Sequence, residues 1–238
     1  MRYPSIDILR TLAIVVMVLV HFGENLSGYT APITGFGAPL FAFLSGVSYF
    51  LWVQGQVVRG VSEEDISKTS VRRGLFVFGV GFAFNILVWL PEDTFNWDVL
   101  TFVGTALLLL NGFRRIPVPI AILTAVIAVL VSPLLRGLAD YGSYWPNKYF
   151  EHDFTLSDIL IGFLCTGYFP IFPWIAFSLG GYATAATLFA EPEPAEPPPS
   201  PQRIVSNGAT IPAVSLLALQ LRPYLPEPFA KNFLGGWT

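Results

Sequence analysis

The chain reads SIDILRTLAIVVMVLVHF over residues 5–22, a run in which only Asp7, Arg10 and His21 are ionisable. An apolar run of about 17 to 25 residues is long enough to cross a lipid bilayer as a helix. Asp7 occupies what would be the positive region of a signal peptide, and no small-residue cleavage site follows Val20. We therefore interpret this run as a retained membrane helix.

The whole chain has the composition of a membrane protein. Of its 238 residues, 53% are hydrophobic and 12% are charged, whereas soluble domains carry about 25% charged residues. The formal net charge of -3 gives no basic surface for nucleic acid. The single cysteine, Cys165, excludes an internal disulfide and a cysteine metal cluster. We expect a lipid bilayer as a partner, and neither nucleic acid nor a metal.

Seven apolar runs are candidate membrane spans, and each should be helical because lipid offers the backbone no hydrogen-bond partners. The fourth run is short, and Pro170 and Pro173 in the sixth predict an interfacial segment and a kink before the crossing. The runs cover residues 5–22, 38–53, 75–90, 99–111, 116–135, 159–189 and 204–221. The sequence thus predicts an all-α, polytopic transmembrane helical bundle of about six to seven spans.

A proline-rich acidic stretch divides the chain. Residues 191–201 read EPEPAEPPPSP, which neither packs nor forms a helix. We predict a transmembrane domain over residues 1–190, a cytoplasmic linker over 191–203 and a partial helical segment over 204–238.

Positive charge predicts the orientation, because Lys and Arg collect on the cytoplasmic side of membrane proteins. The loops over residues 23–37 and 91–98 contain no Lys or Arg. The cations on the opposite side are Arg2 and Arg10, then Arg59, Lys68, Arg72 and Arg73 in the second loop, and Arg114 and Arg115 in the fourth. The N-terminus is therefore predicted to be cytoplasmic.

The first run places a cation and a base on one helix face. Arg10 and His21 are close to three full turns apart, so their side chains project from nearly the same face, about 16 Å apart in rise. Histidine is suited to exchange a proton near neutral pH, so this stripe indicates an anionic carrier that enters from the cytoplasm. The alternatives are an i,i+3 ion pair between Asp7 and Arg10, with Arg10 reaching to the headgroups, and a His21 that bonds a neighbour.

Other polar positions give weaker signals. Asn85 in the third run is either an interhelical hydrogen bond or a substrate contact. The small residues at 45–48 and the Gly180-Gly181 pair predict close helix contacts. His152 lies in an outer loop, where a solvated side chain is the favoured interpretation and a substrate contact is the alternative.

Several stretches together resemble a known family. RYPSIDILRTLAIVVMVLVH over residues 2–21 is similar to the R-x-x-S-x-D-x-x-R-G opening of polytopic membrane acyltransferases. GAPLFAFLSGVS over 37–48, DVLTFVG over 98–104, FPIFPW over 169–174 and the Gly180-Gly181 pair add to it. The chain resembles the heparan-alpha-glucosaminide N-acetyltransferase-like group, many of whose members are bacterial.

The resemblance implies acetyl-CoA as acyl donor on the cytoplasmic side and a glycan or other small-molecule acceptor on the other. It implies a membrane histidine that deprotonates the acceptor or carries the acyl group, and His21 is the matching residue. The predicted substrate-binding residues are Asp7, Arg10, Arg72, Arg73 and Asn85. The implied location is the bacterial inner membrane, and a homo-oligomer is compatible with the sequence.

Some features depart from the family pattern. Thr11 stands where the family has Gly, and residues 23–37 lack the histidine that the heparan enzymes use there. Family members continue with several more helices, so we expect this chain to be truncated at the C-terminus. The alternative function is a non-catalytic membrane protein or a small-molecule transporter, because a helix broken by Pro170 and Pro173 is typical of transporters.

Overall fold

The computed structural model describes residues 3–28, 34–88, 94–146 and 149–189. The linker and the seventh run predicted from the sequence lie outside these ranges. The α-helices are α1 (Pro4–Ser27), α2 (Thr34–Val58), α3 (Glu63–Val88), α4 (Val99–Phe113), α5 (Val118–Leu138), α6 (Leu156–Ile161) and α7 (Ile171–Phe189). A 3-10 turn spans Tyr141–Tyr144, and a π-helical turn, Gly162–Thr166, extends α6.

The predicted helical membrane bundle is confirmed. Within the described ranges, five helices are long and apolar enough to cross a membrane: α1, α2, α3, α5 and α7. Helix α4 and the stretch Leu156–Thr166 are apolar but shorter. The chain is an integral membrane protein.

Helix α2 lies at the centre of the bundle, packed against α7, α1 and α4, while α3 pairs with α4 and α5 with α7. At the α2–α7 contact, a Cβ at Gly46 would overlap the Ser178 carbonyl, and one at Gly181 would overlap the Phe43 carbonyl. The predicted close approach therefore occurs at Gly46 and Gly181. A Cβ at Gly180 would meet open space.

Helix α3 corrects the predicted second loop, because it begins at Glu63 rather than in the apolar run. Ser62 and Asp65 cap it: Ser62 Oγ accepts from the Asp65 amide at 3.1 Å and donates to its carboxylate at 2.7 Å. Lys68 and Glu64 form an i,i+4 ion pair at 2.7 Å. Lys68, Arg72 and Arg73 are therefore helical residues, and the prediction that they belong to a loop was wrong.

The sixth predicted run divides as its prolines indicate. Thr155 caps α6, its Oγ1 accepting from the Asp158 amide at 3.2 Å. The backbone is non-helical at Phe172, between Pro170 and Pro173, and the spanning part of α7 follows. The expectation of a short segment and a kink before the crossing is confirmed.

Candidate functional site

Arg10 is held in one place by partners on two helices. Its Nη1 donates to Asp7 Oδ1 at 2.8 Å, and its Nε and Nη2 donate to Ser48 Oγ on α2 at 2.9 and 2.7 Å. The i,i+3 ion pair that the sequence left as an alternative is present. Because Ser48 Oγ also donates to the Leu44 carbonyl, the hydroxyl is fixed as an acceptor for the guanidinium. The side chain of Arg10 therefore bridges α1 and α2.

Two cavities adjoin at Arg10. The terminal cavity has a volume of about 220 Å³ and lies between α1 and α2 towards the N-terminus. The central cavity has a volume of about 370 Å³ and is bounded by α1, α2, α3 and α4. The terminal cavity is lined by Tyr3, Ile6, Asp7, Arg10, Ser48, Leu51, Trp52, Gly55, Gln56 and Arg59. The central cavity is lined by Arg10, Ser45, Ser48, Tyr49, Trp52, Ser70, Arg73, Val103 and Leu107.

The cavities carry excess positive charge. Arg10 lines both, Arg59 lines the terminal cavity, and Arg73 lines the central one, where its guanidinium stacks 4.5 Å from the Trp52 ring centroid. Among the described lining residues, Asp7 is the single carboxylate. Planar guanidinium groups pair with phosphate or carboxylate oxygens, so this arrangement suits an anionic ligand. We call this part of the molecule the arginine end.

A network of buried polar side chains lies beside the central cavity. Ser70 Oγ donates to the Tyr49 hydroxyl at 3.1 Å, and that hydroxyl donates to Asn111 Oδ1 at 3.5 Å. Asn111 also accepts from Arg114 Nε at 3.1 Å, and Arg114 pairs with Glu63. The sequence reasoning missed Tyr49, Ser70, Asn111 and Glu63, and it used Arg114 only to predict the orientation. The signal was a set of polar side chains within or beside apolar runs.

The structure separates the predicted site residues into two groups. Asp7, Arg10 and Arg73 come together at the cavities, whereas Arg72 lines neither, although Arg72 and Arg73 are both exposed. His21 is exposed on α1, about 16 Å in rise beyond Arg10, and neither cavity includes it.

Asn85 is buried near the C-terminal end of α3, about three turns beyond Arg73, which lies near the middle of that helix. Its Nδ2 donates to the Thr94 carbonyl at 3.4 Å. Asn85 thus ties α3 to the segment before α4, and neither of the two cavities includes it.

Aromatic rings fill the end of the bundle that holds Asn85. His152 packs there against Phe95, Phe150 and Phe154, at ring-centroid distances of 6.3, 5.4 and 4.7 Å. The favoured interpretation of His152 as a solvated loop histidine was therefore wrong, because the loop folds into an aromatic cluster. Trp97 lies at the centre of this cluster, against Phe82, Phe95 and Phe163. We call this region the aromatic end.

Two groups outside the spans at the aromatic end have shifted pKa values. Tyr144 donates to Asp158 Oδ1 at 2.8 Å, and this bond, with one from Thr155, holds the pKa of Asp158 below its usual value. Burial, then the bond to Asp158, raises the pKa of Tyr144 to about 12. No group of three or more His, Cys, Asp or Glu side chains placed to hold a metal occurs in the described ranges.

These features define a polytopic helical membrane protein with arginine-lined cavities at one end, and comparison with known proteins gives its family. The family model for the catalytic domain of heparan-alpha-glucosaminide N-acetyltransferase matches residues 2–218, and the chain belongs to this family. The resemblance inferred from the motifs is confirmed. No curated protein and no solved structure matches the chain. The chain is thus a member of a membrane acetyltransferase family.

Proposed function

We propose that this protein transfers an acyl group, specifically acetyl, from acyl-CoA to an amine or hydroxyl of a glycan or other small acceptor. The observation that carries the proposal is the presence of three guanidinium groups, those of Arg10, Arg59 and Arg73, in the lining of two adjoining cavities. Coenzyme A is a long carrier with several phosphate charges at one end and a thioester at the other. Two adjoining cavities with cationic side chains in their lining suit such a donor.

Four of the predicted substrate-binding residues have separate roles in donor binding. Arg10 and Arg73 bind the phosphates, and Asp7 acts through Arg10, because a carboxylate repels the donor but fixes the guanidinium at 2.8 Å. Arg72 is exposed one residue before Arg73 and attracts the donor before it enters.

His21 and Asn85 belong to the acceptor side in this proposal. The acceptor nitrogen or oxygen attacks the thioester carbonyl carbon, the carbon–sulfur bond breaks, and the coenzyme leaves as a thiol. His21 takes the proton of the attacking group and returns it to the thiolate. The support is the shared face of α1, on which His21 follows Arg10 by about three turns. Asn85, at the same end as His21, binds the acceptor.

The protein is proposed to lie in the inner membrane of a bacterium, with its N-terminus in the cytoplasm where coenzyme A is made. The support is that the arginine end includes Tyr3 and the start of α1. A homo-oligomer is compatible with this placement.

Donor binding tests the proposal directly. Purified chain in detergent is heated with and without acetyl-CoA, and we expect a rise in the unfolding midpoint that Arg10→Ala abolishes and Arg73→Ala reduces. Arg72→Ala is the matched control and should keep at least half of the rise, because Arg72 lines neither cavity. Equal shifts in the wild type and all three variants, or no shift in the wild type, would refute the proposed donor site.

Transfer of label from [14C]acetyl-CoA to an amino-sugar acceptor tests the chemistry in proteoliposomes. We expect His21→Ala to lower the rate about 100-fold or more while the donor-induced thermal shift remains. A His21→Ala protein with full activity would remove His21 from the mechanism. Movement of the sugar across the membrane without acetylation would favour a transporter instead.

A further inference from the structure

Tyr49 lies in the central cavity with its hydroxyl among polar partners. Resting on the proposed function, we propose that Tyr49 recognises the uncharged, amide-bearing arm that joins the donor's phosphates to its thioester, and so distinguishes the whole carrier from its nucleotide part.

The first argument is the burial of Tyr49 in the cavity wall. Its side chain is 3% exposed and that of Ser70 is 1% exposed, yet both line the central cavity. A buried tyrosine hydroxyl needs a partner in an apolar bundle. Ser70 Oγ supplies one by donating to the Tyr49 oxygen at 3.1 Å. The hydroxyl is therefore held in the cavity wall.

The second argument is that this hydroxyl retains capacity for a ligand. Its own hydrogen bond to Asn111 Oδ1 is long, at 3.5 Å, and Asn111 Oδ1 also accepts from Arg114 at 3.1 Å. Since Asn111 Oδ1 has a second, shorter donor, the Tyr49 proton can turn to a carbonyl in the cavity. The Tyr49 oxygen has a further lone pair for an N–H group. A hydroxyl that can donate to a carbonyl and accept from an N–H group can bind either polar group of a secondary amide.

The third argument is the distribution of charge along the cavity. Arg10 and Arg73 supply cations from α1 and α3, whereas the lining between them on α2 is uncharged. The uncharged polar residues of the lining are Ser45, Ser48, Tyr49 and Ser70, and Val103 and Leu107 form an apolar wall. A neutral polar chain attached to phosphates fits this lining. A second charged group would lie there without a countercharge.

The test compares two ligands on one pair of matched variants. The probes are coenzyme A and adenosine 3′,5′-bisphosphate, which has the nucleotide and lacks the arm. Tyr49→Phe removes only the hydroxyl. Tyr182→Phe is the control, because Tyr182 is 6% exposed, its ring centroid lies 6.5 Å from that of Tyr49, and it lines neither cavity. Dissociation constants are measured by calorimetry on the full chain in detergent.

We expect Tyr49→Phe to weaken coenzyme A binding about three- to tenfold, as for loss of one hydrogen bond, and to leave the bisphosphate unchanged. Tyr182→Phe should change neither dissociation constant. Equal weakening of both probes by Tyr49→Phe, or coenzyme A binding within twofold of wild type, would overturn the role of Tyr49 while the donor site stands. A wild type that binds neither probe would overturn the proposed function, and this inference with it.

Discussion

The arginine end of the bundle keeps open space beside its charges, whereas at the aromatic end rings pack on rings. Arg10 is bonded to Asp7 and Ser48, and Arg73 lies on the face of Trp52, beside cavities of about 220 and 370 Å³. At the aromatic end, Trp97 and His152 each contact three aromatic rings.

The difference has a physical cause. A guanidinium is costly to desolvate, so it is positioned by a few directed hydrogen bonds that leave part of its surface open. Aromatic rings have no such requirement and stabilise the fold through buried area and tilted or edge contacts. Changes at the arginine end should therefore alter ligand binding more than stability, and changes at the aromatic end should do the reverse.

The largest effect is expected from Trp97→Ala. The Trp97 side chain is 7% exposed, and its removal leaves a cavity among Phe82, Phe95 and Phe163. The loss of stability should be about 3–5 kcal/mol, measured by denaturant unfolding in detergent. The folded fraction should still bind coenzyme A with wild-type affinity.

Trp97→Phe is the control for this substitution. The indole Nε1 of Trp97 is buried without an acceptor among the described residues, so phenylalanine loses no hydrogen bond and keeps most of the ring contacts. Trp97→Phe should lower the unfolding free energy much less than Trp97→Ala does. A Trp97→Ala protein of wild-type stability, or one that is stable but unable to bind coenzyme A, would contradict the separation of the two ends.

Gly181→Ala should have an intermediate effect, because it acts on the α2–α7 contact. The added methyl would overlap the Phe43 carbonyl, so the two helices must move apart. We expect a loss of about 1–3 kcal/mol in unfolding free energy. Gly180→Ala is the matched control and should not destabilise the protein, because a Cβ there meets open space. Equal losses in the two variants would show that this contact is not close.

Close contacts between helices also show how much of the structure the sequence predicts. Apolar runs placed the spans, because their length and the bilayer's lack of hydrogen-bond partners leave few alternatives. The family motifs correspond to structural contacts: Ser48 binds Arg10, Asp98 caps α4 through the Leu100 and Thr101 amides, and Gly104 packs on the Phe78 backbone. Single small or polar residues in apolar runs were therefore informative.

The composition of the site was harder to predict from the sequence. The helical periodicity of α1 relates Arg10 to His21. It contains no information on which neighbouring helices supply the other walls of the cavities. Tyr49, Ser70 and Asn111 meet through contacts among α2, α3 and α4, and residues 21 to 62 positions apart have no local signal. The start of α3 was missed because its first turns are charged, and apolar runs do not mark such turns.

The smallest effect is expected from Tyr144→Phe at the aromatic end, and it has a pH signature. The pKa of Asp158 is lowered, so its contribution to stability is present above the unfolded value of about 3.9 and is lost as pH falls through the folded value. The pKa of Tyr144 is raised to about 12, so its contribution is lost as pH rises above about 10. The difference in unfolding free energy between wild type and Tyr144→Phe should therefore be greatest between about pH 4 and pH 10.

The difference in unfolding free energy should stay below about 1 kcal/mol, because Asp158 is only partly buried and water screens the interaction. Unfolding midpoints in detergent at pH 3, 7 and 11 would measure it, with Tyr149→Phe, an exposed tyrosine of the same loop, as control. A pH-independent difference would assign the effect of Tyr144 to packing alone, because the hydroxyl bond has its full, charge-assisted strength only while Asp158 is ionised and Tyr144 is protonated. The aromatic end would then be held by ring contacts without an electrostatic part, which would widen its contrast with the arginine end.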